Sequence, residues 1–233
     1  FSGFTGSNGA LLVSKDRTAK VATDGRYATQ ISEEVPDVPA TITRKVATEL
    51  LAGVVDGHRV GFEADYVSVS ELEALRKACP EGVTLVPVSG AVEEIRLLKD
   101  QLELTRLEEA ADLATQALEQ LIDADELAPG RSERDVAADL EYRMRKLGAE
   151  RPSFDTIVAS GPNSAKPHHG AGERTLETGD LVTIDYGMFR LGFNSDMTRT
   201  FALGEPNDFL REIYEVTLQS QLAGVRAAVP GAK

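Results

Sequence analysis

A chain of 233 residues with 25 basic and 38 acidic side chains, for a formal charge of −13, can hold one or two domains. That acidity disfavours nucleic-acid backbones and anionic membrane surfaces as partners. No run approaches the ~18 apolar residues that cross a bilayer and no signal peptide is visible; the single cysteine, Cys79, excludes an internal disulfide and fits a reducing, cytoplasmic setting.

From the amino terminus short strands alternate with helices. Strands are expected at 10–14, 20–23, 40–43, 59–62 and 84–87, and helices at 27–34, 45–52 and 70–78. The alternation predicts a mixed α/β layer domain over residues 1–95. Ser68, Ser70 and Glu71 offer capping chemistry for the third helix. Gly3, Gly6 and Gly9 precede a strand and lack the G-x-G-x-x-G spacing, so they read as a loop and not as a phosphate cradle. Asp24-Gly25-Arg26-Tyr27 reads as a turn that starts a helix, and Cys79, before Pro80, as a small apolar helix residue.

Around 91–100 the pattern becomes helical, and a second domain is assigned to 96–233. Leu104, Leu107, Ala111, Ala114, Leu118 and Leu121 step by three and four along one apolar face. Ala110, Leu113 and Ala117 widen it beyond a coiled-coil seam, so the helix is expected to pack on a sheet. Pro129-Gly130 is read as its end. Ser132 with Asp135 opens a helix that runs to about Leu147 before Gly148, and its arginines and acids are expected to be a solvated face. A last helix is expected at 208–229.

Between these helices lies the most informative stretch. The run 181–187 is β-branched, aromatic and closed by Gly187; the run 196–203 alternates and ends before Gly204, so the two are expected to form one tight hairpin, with Gly187 and Gly192 in or beside its 188–195 connection. Antiparallel pairing would bring Asp185 near Asp196, where cross-strand Cβ atoms stand roughly 4.5 to 5.5 Å apart. Two carboxylates that close repel each other unless a proton or a cation intervenes, and a pair of divalent ions about 3.5 to 4 Å apart is one solution that also activates water. Either aspartate alone would be an ordinary turn residue. Upstream, an apolar strand at 154–161 leads into a polar loop that carries His168 and His169, where imidazole chemistry can be presented.

The runs PSFDTIVASGPNSAKPHHG, GDLVTIDYG and GFNSDMTRTFALG resemble the catalytic domain of the dinuclear-metal peptidases with the pita-bread fold, most of all Xaa-Pro dipeptidases (prolidases) and aminopeptidase P. FSGFTGSNGALLVS and ATDGRYATQ resemble the creatinase-like domain that precedes it. The resemblance covers nearly the whole chain. It implies an α/β (α+β) protein: a creatinase-like α/β domain followed by an incomplete pita-bread domain. It implies metal ligation by Asp185, terminal, and Asp196, bridging, and places His168 against the substrate. His169 stands where many relatives have glycine and Phe193 where a tyrosine is frequent; His169, Arg26 and Tyr27 are the further substrate-contacting candidates.

The family's remaining ligands, one histidine and two glutamates, lie downstream of the SDMTRTF strand. No histidine follows His169, and Glu205, Glu212 and Glu215 match no glutamate motif of the family. The chain therefore reads as a fragment without either natural end, inactive by itself. The implied activity of the parent is hydrolysis of the bond before proline in dipeptides or peptide amino termini, by a cytoplasmic homodimer with two divalent ions of manganese, cobalt or zinc. Three readings compete. A metal-free creatinase-type amidinohydrolase would not need the aspartate pair. A non-catalytic pita-bread module binding basic proteins such as histones typically lacks it. A methionine aminopeptidase would lack the first domain.

Overall fold

Residues 2–55 and 57–232 are described by the structure, a computed structural model, and they fall into two units, Phe1–Leu98 and Lys99–Lys233. The first contains β1 (Gly9–Val13), β2 (Ala19–Thr23), a 3-10 turn (Gly25–Tyr27), α1 (Ala28–Glu34), β3 (Ala40–Ile42), α2 (Val46–Ala52), β4 (Arg59–Glu63), α3 (Val69–Ala78), β5 (Thr84–Val88) and α4 (Ala91–Leu97). β2 is the centre of a three-stranded sheet, antiparallel to β1 and parallel to β3; β4 and β5 form a separate parallel pair. Val21, Ala22 and Thr23 of β2 are all buried, as a central strand covered on both faces requires. Val21 clusters with Ile31 and Val35, and Phe4 packs on that cluster. The capping expected at Ser68 is a full capping box with Glu71.

The second unit contains α5 (Gln101–Asp123), α6 (Glu133–Lys146), β6 (Arg151–Pro152), β7 (Ile157–Ser160), a 3-10 turn (Gly161–Ala165), β8 (Leu181–Tyr186), β9 (Met188–Arg190), β10 (Phe193–Asn194), β11 (Met197–Ala202) and α7 (Asp208–Ala227). β8 is central between β7 and β11, antiparallel to both, and β9 is central between β6 and β10. The core is the helix-on-sheet contact expected: Ala110, Ala114, Ala117, Leu118 and Leu121 of α5 and Val136, Leu140 and Met144 of α6 meet Val158, Val182, Ile184, Tyr186 and Met188. Tyr186 is wholly buried with its hydroxyl 2.9 Å from Met197 Sδ, and burial pushes its phenol up to about 12.

Three expectations are corrected. The apolar stripe of α5 starts later than expected: Leu104 is exposed, whereas Ala114, Leu118 and Leu121 and the widening Ala110 and Ala117 are buried as expected, the alanines letting the helix lie close to β9 and β10. α5 also ends at Asp123, before Pro129, since Asp125 adopts a left-handed φ of 54°. And 188–195 is not a plain hairpin connection. Both strands continue past Gly187 as β9 and β10 and turn at Leu191-Gly192, where both residues have positive φ. The kink has a local cause: a Cβ on Gly187 would lie 1.9 Å from the Ser195 carbonyl oxygen, so only glycine permits the approach. Ser153, just after β6, fixes it by donating from its hydroxyl to Ser195 O (2.8 Å) and from its amide to Gly187 O (3.0 Å).

Candidate functional site

Strand alternation decides what β8 offers. Val182, Ile184 and Tyr186 point into the core, so Thr183 and Asp185 face the other side of the sheet. Across the ladder Thr198 stands opposite Asp185 and Thr200 opposite Thr183. The Thr198 hydroxyl donates to Asp185 Oδ1 at 2.9 Å, and the hydroxyls of Thr183 and Thr200 are 3.2 Å apart. Asp185 is thus half-buried and held by a cross-strand partner.

Asp196 is exposed and lies just before β11, outside the ladder. The direct cross-strand neighbour of Asp185 is therefore Thr198, with Asp196 two residues further along. That corrects the expected opposition of the two aspartates. The two-residue turn at Leu191-Gly192 is the reason: it pairs Arg190 with Phe193, and that register, carried through Phe189 and Asn194 to Tyr186 and Met197, puts Thr198 opposite Asp185. Among the described residues no group of three or more His, Cys, Asp or Glu side chains converges to hold a metal ion. The donor set fits part of a site for a hard divalent cation, two carboxylates on one strand pair, and not a whole one.

The histidine loop is organised by a residue that sequence reasoning assigned to solvent. Glu133, in the first turn of α6, is 0% exposed. Its Oε1 accepts from Ser160 N (2.8 Å), Ser160 Oγ (2.7 Å) and Asn163 Nδ2 (3.0 Å). Its Oε2 lies 2.7 Å from His169 Nε2 and accepts from Gly172 N at 3.3 Å. A buried carboxylate is tolerable only when paired and hydrogen-bonded to this extent. The signal was present in the phase of the helix: Glu133, Val136, Leu140 and Met144 step by three and four along the buried face.

The same loop caps α6. Gly172 O and Arg174 O accept from Arg134 N and Glu133 N, each at 3.0 Å, which satisfies donors left open at the start of the helix. Arg174 donates to Ser160 Oγ (2.6 Å) and to both oxygens of Asp180 (2.7 and 3.1 Å). Gly161, at a φ of +48°, passes close by; a Cβ there would lie 2.5 Å from Asp180 Oδ1. The two histidines are treated differently. His169 is anchored, its side chain 12% exposed, and His168 is exposed.

Burial alone would raise the pKa of Glu133, but hydrogen bonds from Asn163, Ser160 and His169 outweigh it and hold the carboxyl at about 2, below the ordinary 4.5. The folded-state value lies below the unfolded one. The stabilisation is therefore complete above pH 4.5 and is lost as the pH falls toward 2. Denaturant unfolding of Glu133→Gln across that window is expected to show a shallower loss of stability with acid than the unaltered chain. Equal losses would mean the carboxylate contributes nothing to it.

In the first unit, Asp24 is buried and caps the turn that carries the other two candidates. It accepts from Arg26 N (3.0 Å), Arg26 Nε (2.9 Å), Arg26 Nη2 (2.7 Å) and Asn8 Nδ2 (2.7 Å), and Arg26 foremost holds its carboxyl well below the usual carboxylate range. The Arg26 guanidinium lies 5.2 Å from the Tyr27 ring centroid, and the Tyr27 hydroxyl is 2.6 Å from Ser7 Oγ. Arg26 and Tyr27 are thus brought together as a turn.

Residues 105–233 match the model of metallopeptidase family M24, and residues 1–98 that of the creatinase/prolidase N-terminal domain. The uncharacterized peptidase YqhT of Bacillus subtilis is 40% identical over 233 residues, 99% of this chain and 65% of that protein. A Xaa-Pro dipeptidase of Pyrococcus furiosus is 44% identical over 144 residues, 62% of this chain and 41% of that protein. Among solved structures, a Xaa-Pro dipeptidase from Bacillus anthracis superposes with a TM-score of 0.88 at 40% identity, covering 98% of this chain and 63% of the other. An X-Pro aminopeptidase from Thermotoga maritima gives 0.83 at 32%, covering 95% and 61%. The chain thus spans between 41% and 65% of the length of these relatives. The fold and family expected from the three motifs agree with these matches. No helix among the described residues is long and apolar enough to cross a membrane.

Proposed function

The chain belongs to metallopeptidase family M24, and from that premise we propose that the whole protein hydrolyses the peptide bond before proline in Xaa-Pro dipeptides or peptide amino termini. The observation that carries this reading is Asp185, fixed by Thr198 on the sheet face opposite the core, with Asp196 at the entry of the paired strand. Asp185 and Asp196 are the residues that would hold a pair of divalent ions, manganese, cobalt or zinc, and among the described residues no third His, Cys, Asp or Glu joins them in a metal-binding group. Such ions, when bound, supply charge for a developing oxyanion and lower the pKa of water.

The chain's own residues orient and exclude. Thr198 takes one lone pair of Asp185 Oδ1 and so restricts how that carboxylate turns. His168 would donate a hydrogen bond to the substrate carbonyl, a role supported by its exposure on the loop anchored by Glu133. A homodimer in which Arg26 and Tyr27 border the partner's substrate belongs to the same proposal; it is supported by the Arg26 side chain, 69% exposed although paired with Asp24.

A panel of dipeptides tests it. The intact protein, loaded in turn with manganese, cobalt and zinc, is expected to cleave Xaa-Pro dipeptides or Xaa-Pro-initiated peptides and to spare Xaa-Ala controls. Residues 1–233 alone are expected to bind the ions weakly and to cleave none. Cleavage of the controls at the rate of the proline substrates, or none with any metal, would overturn the proposal.

A further inference from the structure

We propose that Glu133 is a positioning residue: its buried carboxylate pins the loop 160–172 at four places so that His168 is presented at a fixed point. This rests on the reading of His168 as the group that meets the substrate carbonyl. The four pinned residues, Ser160, Asn163, His169 and Gly172, span the loop from the last residue of β7 to the strand-like segment that caps α6. Both carboxylate oxygens are used, one for the entry of the loop and one for its exit.

Cost argues for a role beyond filling the core. The position lies on the apolar face of α6 with Val136 and Leu140, where an aliphatic side chain would pack without desolvating a charge. What the carboxylate provides and an aliphatic residue does not is a set of directed bonds to a segment with little apolar anchorage. Residues 162–170 contain no buried residue. A network extends from it, for Asn163 Oδ1 in turn accepts from Lys166 Nζ at 2.8 Å.

The link to His168 is one peptide unit long. His169 is tethered inward by Nε2, and His168 precedes it in the exposed turn, so fixing the backbone of one limits the travel of the other. An ionised carboxylate only accepts, so the ring hydrogen of His169 sits on Nε2. Glu133→Gln keeps the shape and one oxygen for Ser160 and Asn163, but turns an amide N–H2 toward two donors, His169 Nε2–H and Gly172 N–H.

The experiment uses the intact, metal-loaded protein and an Xaa-Pro substrate. Glu133→Gln is expected to lower kcat about 10- to 100-fold with KM and metal content little changed, and to shift the His169 ring hydrogen to Nδ1 in nitrogen-15 spectra. His169→Gln, whose amide nitrogen can replace Nε2 as donor, is expected to retain kcat, and His169→Asn, which is too short, to lower it, by less than His168→Ala does. Unchanged kcat in Glu133→Gln, or equal kcat in the two His169 variants, overturns the proposal; should Glu133→Gln fail to fold, the His169 pair decides. If the unaltered protein cleaves no Xaa-Pro substrate, the reading of His168 fails separately. The pin is then judged by amide exchange over 161–172, which Glu133→Gln accelerates about tenfold if the carboxylate holds the loop and leaves unchanged if it does not.

Discussion

Asp196→Asn in the intact protein is expected to abolish binding of the metal pair and to reduce peptidase activity to background. Asp196 is exposed at the entry of β11, outside the ladder. Its side chain is therefore free of a structural task that the substitution would disturb. Asparagine keeps the size and one carbonyl oxygen, yet removes the negative charge and the second anionic donor that bridging two cations requires. Asp185, held by Thr198 Oγ1, is left as the only carboxylate of the pair, and a single carboxylate binds a hydrated divalent ion weakly. Metal content after gel filtration, with circular dichroism as the control for folding, reads the outcome. Two ions retained per chain would remove Asp196 from the site.

His168→Ala should behave in the opposite way, with metal content intact and kcat lower by about 10² to 10³, or roughly 2.7 to 4 kcal/mol, the usual effect of losing one donor to a developing oxyanion. Nothing in the loop depends on the His168 side chain for its anchorage, which runs through Glu133 to Ser160, Asn163, His169 and Gly172. His169→Ala removes one of these donors and leaves the others, so its effect on kcat is expected to be the smaller. Steady-state kinetics and metal analysis of the two variants, side by side, separate the roles. Loss of metal in His168→Ala, or a greater loss of kcat in His169→Ala, would reverse the assignment of the two histidines.

Most elements of both units were legible from local chemistry, because caps and alternation act over a few residues. Ser68 with Glu71 and Ser132 with Asp135 mark helix starts that the structure places within a residue or two of the expected ones. The β-branched and aromatic run closed by Gly187 marked β8, which the structure places at Leu181–Tyr186. Contacts between distant segments were not legible. The approach of Ser195 to Gly187, where the pairing of β8 with β11 gives way to that of β9 with β10, is held by Ser153 from the segment after β6. Glu133 was hidden for a different reason. An acid in the first turn of a helix is favoured by the helix dipole whatever its burial, and only its phase with Val136 and Leu140 distinguishes it. In α5 the stripe was found, but which of its edges meets the sheet is a matter of alanines close-packing on β9 and β10.

The most direct measurement is turnover of an Xaa-Pro dipeptide by the intact protein before chelation, after removal of bound metal, and after titration with a divalent ion. Activity that disappears on stripping and returns in step with the binding of two ions per chain is the expected result, with Asp196→Asn recovering none. Full activity in the metal-free protein would contradict it.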